Sequence, residues 1–132
     1  MFNFVGLNST MQSSCEDGDV RLEDGSNALE GRVEVCFNKA WGTVCDNSFS
    51  TSDADVVCRQ LGYRFNGTQV LPISEFSQGS GPIFLDEVAC DGEESGIMEC
   101  GGTAPGVHTC THNQDVAIRC IGEDCLPNKD TL

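Results

Sequence analysis

The sequence has few basic residues and no long apolar run. Of its 132 residues only 7 are Lys or Arg, against 21 Asp and Glu, so the formal net charge is −14. Such a chain repels nucleic acid and anionic membranes rather than binding them through bulk charge. No stretch approaches the roughly 20 apolar residues of a membrane span, and the N-terminal FNFVGL lacks the length and basic lead of a signal peptide. We therefore predict neither nucleic-acid binding nor direct membrane insertion.

Catalytic signatures are also missing. The sequence contains no G-x-S-x-G, no H-E-x-x-H and no phosphate-binding loop. His108 and His112 flank Cys110 in a loop-like stretch, and two loop histidines alone do not form a catalytic constellation. We expect no enzyme activity in this chain.

Cysteine, by contrast, is abundant. There are nine cysteines and no C-x-x-C pair, whereas paired zinc ligands usually lie two to four residues apart. Disulfides fit this spacing better, and they place the chain in an oxidising compartment. The sequence therefore predicts a secreted protein or the extracellular part of a cell-surface protein. Sequons at Asn8 and Asn66 predict glycosylation there.

Local patterns predict one helix and several short strands. Small or apolar residues recur on one face of Ser52–Leu61, after a possible N-cap at Ser50 or Thr51 and before Gly62. Period-two or β-prone stretches predict strands at Val20–Glu23, Gly31–Asn38, Trp41–Cys45, Ile83–Val88 and Asp115–Cys120. Gly and Pro predict loops at Tyr63–Pro82 and Thr103–Gln114, and a helical turn is expected around Ile97–Met98.

Five motifs give the chain a family resemblance. VRLEDGS, EGRVEVCFNKAWGTVCD, VVCRQLGY, SQGSGPIFLDEVAC and H-x-C-x-H-x₂-D-x₄-C follow one another as in scavenger receptor cysteine-rich (SRCR) domains. The resemblance covers residues 19–121, with 1–18 expected to be an N-terminal tail. Residues 122–132 are expected to be a linker or the start of a following repeat. The resemblance implies a small disulfide-rich α+β fold, in which a curved, mostly antiparallel sheet cradles one main helix plus a short helix.

The resemblance also implies a disulfide pattern. Matched by position, the pairs are Cys45–Cys110, Cys58–Cys120 and Cys90–Cys100. A further bridge of the eight-cysteine group falls at Leu29 and Tyr63, so the chain resembles the six-cysteine group, with extra cysteines.

Three cysteines remain outside that pattern. If the first two strands form a hairpin, Cys15 approaches Cys36, and we predict that these two pair. Cys125 would then belong to a bridge of the next repeat in a tandem array. The alternative joins Cys15 to Cys125 and leaves Cys36 free.

Many SRCR domains resemble cation-dependent binders. Their acidic ligand positions fall here at Asp46, Asn47 and Gln114, beside Asp115. Amide oxygens can bind Ca²⁺ but add no charge, so we expect no required cofactor and a weakened Ca²⁺ site, or else ordinary hydrogen-bonding loop residues. A second acidic stretch is either a further cation site or a solvated face: Asp86, Glu87, Asp91, Glu93 and Glu94.

A ligand-contacting strand is a further implication of the resemblance. Gly31–Trp41 is similar to the strand with which salivary-type members contact bacteria, and it offers Arg32, Glu34 and Trp41 as contact residues. The same stretch also builds the sheet, and we favour that structural reading. The few basic residues are scattered along the chain, so we expect no direct capture of polyanions unless Ca²⁺ inverts the local charge.

These observations lead to one functional hypothesis and two alternatives. We expect an extracellular recognition module of the scavenger-receptor type that binds protein or microbial-surface ligands, with or without Ca²⁺, in innate immunity or cell adhesion. Neighbouring SRCR repeats are expected in the parent chain. The alternatives are a structural or adhesion spacer with little ligand chemistry and a non-catalytic accessory domain of a secreted enzyme.

Overall fold

A single α-helix packs against a six-stranded sheet in the computed structural model, which describes residues 15–121 apart from the side chains of residues 64–67. The strands are β1 (Val20–Glu23), β2 (Glu30–Phe37), β3 (Ala40–Val44), β4 (Arg64–Pro72), β5 (Ile83–Leu85) and β6 (Val116–Ile121). Helix α1 spans Thr51–Gln60, and 3₁₀ turns lie at Ile73–Glu75, Ile97–Glu99 and His112–Gln114. Among the described residues no helix has the length and apolar character needed to cross a membrane.

The sheet is curved around β2, which pairs with three other strands. Its order is β4-β6-β2-β3-β5, with β1 also paired to β2, and the β3–β5 pair alone among these is parallel. Val33 and Val35 alternate along β2 and are fully buried in the main core. The mostly antiparallel α+β architecture expected from the resemblance is confirmed.

Helix α1 begins with a capping interaction. The backbone N–H of Ser50 donates to the Asp53 carboxylate at 2.6 Å, and the other oxygen of Asp53 accepts the Cys90 N–H at 2.7 Å. Asp53 thus joins the start of the helix to the chain after β5. The apolar face is fully buried in the main core: Ala54, Val57 and Cys58.

Strand β4 was not expected, since the sequence predicts a loop over Tyr63–Pro82. Asn66-Gly67 is a turn signal, but here it lies inside a nine-residue strand whose register against β6 shifts between Arg64 and Gln69. Pairing with β6, which lies far away in sequence, outweighs the local preference. Strand β5 is shorter than predicted: it ends at Leu85, and Glu87, two residues later, has a left-handed backbone conformation (φ 56°) that a continued strand could not contain.

Four disulfides tie the elements together, and they are the same pairs that the sequence analysis expects: Cys15–Cys36, Cys45–Cys110, Cys58–Cys120 and Cys90–Cys100. The first of them excludes the alternative pairing of Cys15, and it attaches the end of the expected N-terminal tail to β2. Cys125 lies outside the described residues.

Glu30, at the start of β2, links this strand to Ser26 and to Arg119 of β6 through side-chain hydrogen bonds. Its carboxylate accepts the Ser26 hydroxyl at 2.5 Å and the Arg119 guanidinium at 2.8 Å. The hydrogen bond from Ser26, followed by that from Arg119, lowers the pKa of Glu30 from 4.5 to about 2. Glu30 is therefore an ionised, nearly buried anchor between β2 and β6.

Candidate functional site

The predicted cation ligands lie on two loops that the fold brings together. Asp46 and Asn47 follow β3, and Gln114 precedes β6. The Asp46 N–H donates to the Gln114 carbonyl at 2.7 Å, and the Cys45–Cys110 disulfide links the same two loops. Residues nearly seventy positions apart in the chain are thereby held as neighbours.

A hydrogen-bonded chain runs through the side chains of this cluster. The Gln114 amide donates to Asn47 Oδ1 at 3.5 Å, and Asn47 Nδ2 donates to Asp86 Oδ1 at 3.3 Å. Asp86 is only 4% exposed. We call Asp46, Asn47, Asp86 and Gln114 the loop cluster.

Asp86 was missed as a member of this cluster, because the sequence places it in the second acidic stretch. The parallel pairing of β3 with β5 explains its position. Parallel strands end at the same edge of a sheet, so Asp86, which follows β5, meets Asp46 and Asn47, which follow β3. A prediction that β3 and β5 pair in parallel would have placed Asp86 in the cluster. The spacing of residues in the sequence does not reveal that pairing.

Negative charge accumulates at the loop cluster. Asp46 is exposed as a residue, but partial desolvation of its carboxylate raises its pKa, and the nearby carboxylates of Asp115 and Asp86 raise it further. In the part of the chain that the structure describes, no salt bridge involves Asp46 or Asp86. A bound cation would relieve this repulsion.

Asp115 lies beside the cluster but is occupied elsewhere. It is 1% exposed; Oδ2 accepts the Gly79 N–H at 2.8 Å, and both oxygens lie 3.0 Å from His112 Nδ1. His112 Nε2 lies 3.0 Å from the Gly81 carbonyl. Asp115 and His112 thus hold the loop before β5 in place, and we leave Asp115 out of the ligand set.

Hydrogen bonds within the protein engage two further carboxylates of the second acidic stretch, those of Glu94 and Glu87. The Glu94 carboxylate accepts the N–H groups of Asp91 and Gly92 at 3.0–3.2 Å, and these bonds lower its pKa, with that from Asp91 the largest cause. Glu87 accepts the Ser48 hydroxyl at 2.8 Å. Asp91 and Glu93 are exposed. This arrangement is that of a solvated acidic loop.

The residues of the expected ligand-contacting strand are engaged within the protein. Arg32 and Glu34 are 7% and 6% exposed and form an ion pair at 2.9 Å, while Arg32 also contacts Asp24 at 2.7 Å. Burial opposes the charge on Arg32, but its hydrogen bonds to Asp24 and Glu34 outweigh it and raise its pKa. Trp41 is half-buried, with the Arg21 guanidinium 4.2 Å from its ring centre. These contacts favour the structural reading.

Among the described residues, two groups of side chains lie close enough together to hold a metal ion, but their cysteines cannot act as ligands. Each combines a carboxylate with two cysteines: Cys45, Asp86 and Cys110, and Cys90, Glu94 and Cys100. All four cysteines are in disulfides, so none is a thiolate ligand. His108 likewise caps a loop, since its Nδ1 accepts the Cys110 N–H at 3.0 Å.

Of the two sequons, Asn8 and the Asn66 side chain lie outside the described parts of the chain. The sequon residue Thr68 is 8% exposed and donates its hydroxyl to Asp55 at 2.6 Å. Glycosylation of Asn8 and Asn66 therefore stays a prediction.

Solved structures share this fold. The third SRCR domain of murine neurotrypsin superposes with a TM-score of 0.69 and 42% sequence identity, covering 76% of this chain and 94% of that one. The SRCR domain of mouse MARCO, in its dimeric form, gives a TM-score of 0.63 and 41% identity over 77% of this chain and 94% of that one.

Curated relatives match over a similar span. Galectin-3-binding protein of Mus musculus is 50% identical over 108 residues, and that of Rattus norvegicus 49%, in each case across 82% of this chain. An SRCR-domain superfamily protein of Patiria pectinifera is 44% identical across 81% of it. This chain spans 18%, 19% and 9% of the lengths of these three relatives. The family model of the scavenger receptor cysteine-rich domain matches residues 23–121, and the chain belongs to that family.

Proposed function

We propose that this chain is an extracellular recognition module that binds protein or microbial-surface ligands, with Ca²⁺ assisting at the loop cluster. The observation that carries the proposal is the convergence of Asp46, Asn47 and Gln114, which lie on two disulfide-linked loops, with Asp86, which follows β5. Loops that a rigid scaffold holds in place commonly carry binding residues.

The donor set fits Ca²⁺. This ion prefers oxygen ligands and accepts both carboxylates and amide carbonyls in flexible geometry. Asp46 and Asp86 would supply charge. Asn47 Oδ1 accepts the Gln114 amide and Gln114 Oε1 accepts the Thr111 N–H, so these neutral oxygens would have to exchange or share those bonds to bind the ion. Because two of the four donors are neutral, we expect weak binding. A bound Ca²⁺ would neutralise the two carboxylates, and a coordination position left open on the ion could accept an oxygen of a ligand.

Two further observations support a recognition role. Relatives at about half identity are named for binding galectin-3, and they carry the same module. The net charge of −14 disfavours direct capture of polyanions and favours ligands with basic surfaces.

Calorimetric titration of the oxidised chain with CaCl₂, repeated on Asp46→Ala, tests the role of Ca²⁺. We expect saturable heat in the parent chain and at least about a tenfold loss of affinity in the variant, because a carboxylate–cation contact exceeds 1.4 kcal/mol at a surface-like dielectric. Asp91→Ala, which removes a carboxylate from the solvated acidic loop, is the matched control and should bind as the parent chain does.

Three results would contradict the proposed Ca²⁺ site. The parent chain could release no heat, Asp91→Ala could weaken binding as much as Asp46→Ala, or Asp46→Ala could unfold. The last is checked by urea unfolding of each variant, and it would make Asp46 a structural residue.

A further inference from the structure

Met98 forms an exposed apolar ridge between two depressions. It is 37% exposed, and with Val107 it makes up the exposed large hydrophobic residues of the described chain. On one side lies a cavity of about 100 Å³ whose apolar lining comes from Leu85, Val88, Ile97 and Pro105. On the other side lies an open groove of about 270 Å³ between residues 17–19 and 95–99. We call the open groove the Met98 groove.

The floor of the Met98 groove is fixed by Gln60, at the end of α1. Its amide nitrogen donates to the Gly18 carbonyl at 2.6 Å, and its amide oxygen accepts the Ile97 N–H at 3.0 Å. Gly18 lies against Met98, since a Cβ at this position would be 3.4 Å from Met98 Cγ. The two walls are therefore already held at a set distance before any partner arrives.

Three carboxylates, those of Asp17, Asp19 and Glu99, line the open side of the groove. Each accepts a backbone N–H, at 2.7, 3.0 and 3.3 Å respectively, which fixes its orientation. No salt bridge of the described residues includes any of them. The neighbouring Lys39 pairs with Glu16 at 3.5 Å. The negative charge of this rim is thus without a cationic partner inside the described fold.

A basic segment of a protein has the chemistry that complements this surface. The stem of a Lys or Arg side chain is apolar and can lie along a thioether, while its charged end stays among carboxylates in water. An apolar residue next to it could enter the cavity behind Met98. A nucleic acid or an anionic lipid would be repelled by the same rim.

We propose that the Met98 groove docks a Lys- or Arg-containing segment of a protein partner, with an adjacent apolar residue in the cavity. This inference rests on the proposed role in recognition and names a partner class for it. It uses a surface beyond the proposed Ca²⁺ site, although Asp86 also lines the cavity.

The probe is the synthetic peptide acetyl-Gly-Leu-Lys-Arg-Gly-amide, titrated into ¹⁵N-labelled oxidised chain at low salt and followed by two-dimensional NMR. We expect saturable shifts confined to amides around the groove, such as Gly18, Gly96 and Glu99. A peptide with Glu at both basic positions should cause none. Replacing its Leu by Gly should weaken binding at least threefold.

Matched variants then separate docking from bulk attraction. Asp17→Asn combined with Glu99→Gln leaves one amide oxygen at each position to accept the backbone N–H but removes two charges, and Kd should rise at least fivefold. The control Glu75→Gln combined with Glu93→Gln removes two exposed charges elsewhere and should change Kd less than twofold. Met98→Gln, which changes a side chain that lines both the groove and the cavity, should weaken binding of the Lys-Arg peptide and reduce its preference for Leu over Gly.

The proposal is overturned if no saturable shift appears, if the shifts spread over the whole surface, or if the control pair weakens binding as much as the groove pair. The spectrum of each variant shows whether it is folded. Asp46→Ala separates this proposal from the Ca²⁺ site, because it should bind the peptide normally. Peptide binding with no Ca²⁺ binding would leave the groove in place and refute the cation site alone.

Discussion

Removing the Cys58–Cys120 disulfide should destabilise the domain far more than removing Cys90–Cys100. The first closes a loop of 62 residues and the second a loop of 10. In the chain-entropy model these loops contribute roughly 4.3 and 2.7 kcal/mol to the free energy of unfolding. Cys58 and Cys120 are also 0% and 2% exposed, so alanines there leave a void in the core worth about 1 kcal/mol more. The expected difference between the two double-alanine variants is therefore about 2–3 kcal/mol.

Urea unfolding of the oxidised proteins, followed by tryptophan fluorescence and far-ultraviolet circular dichroism, measures this difference. All chains should carry Cys125→Ser, so that the leftover cysteine cannot pair with a wrong partner. Since small domains have about 5–15 kcal/mol of stability in total, the Cys58→Ala/Cys120→Ala variant, which loses about 5 kcal/mol, should keep at most about two thirds of the stability of the parent chain. Equal destabilisation by both pairs, or a greater effect of the Cys90–Cys100 pair, would refute the loop-entropy reasoning.

Two further predictions concern Glu30 and Gly42. Because the pKa of Glu30 is lowered to about 2, its ionised form stabilises the fold above pH 4.5 and loses this effect as the pH falls towards 2. The urea midpoint of Glu30→Gln should therefore be lower than that of the parent chain at pH 7, and the two midpoints should converge near pH 2. A difference between the midpoints that does not depend on pH would contradict this. In Gly42→Ala the new Cβ would lie 2.4 Å from the Phe84 ring, so we expect a loss of about 1–3 kcal/mol. Gly101→Ala, whose Cβ would meet nothing closer than 3.8 Å, should change stability by less than about 0.5 kcal/mol, and equal effects of the two would disprove the steric argument.

Local patterns were enough to predict the elements whose structure depends on near neighbours. Helix α1 begins and ends within one residue of the predicted positions, because one short stretch of sequence contains both its N-cap and its apolar face. Strand β1 has the predicted bounds. Strand β4 was missed since its partner β6 is distant, and the Asn-Gly pair inside it favours a turn.

The candidate site was predictable in part, through the family resemblance and not through local patterns. The resemblance placed Asp46, Asn47 and Gln114 together by position, and the structure brings them into one cluster. Asp86 joins them only through the parallel pairing of β3 with β5. The occupation of Asp115 by His112 and a loop amide depends on three-dimensional contacts that the spacing of residues does not encode.

The pairing of the cysteines has a consequence for cleavage of the chain. A single cut of the backbone anywhere between Cys45 and Cys120 leaves the two pieces joined by at least one of the four bridges, and a cut between Cys15 and Cys36 does the same. Residues 37–44 are the exception, since no described bridge spans them. That segment contains the tight turn of the β2–β3 hairpin and strand β3 itself. There the backbone hydrogen bonds between β2 and β3, in the middle of the sheet, hold the chain together in place of a disulfide. A protease that nicks the exposed loops within these bounds would therefore leave the loop cluster and the Met98 groove covalently attached to one another.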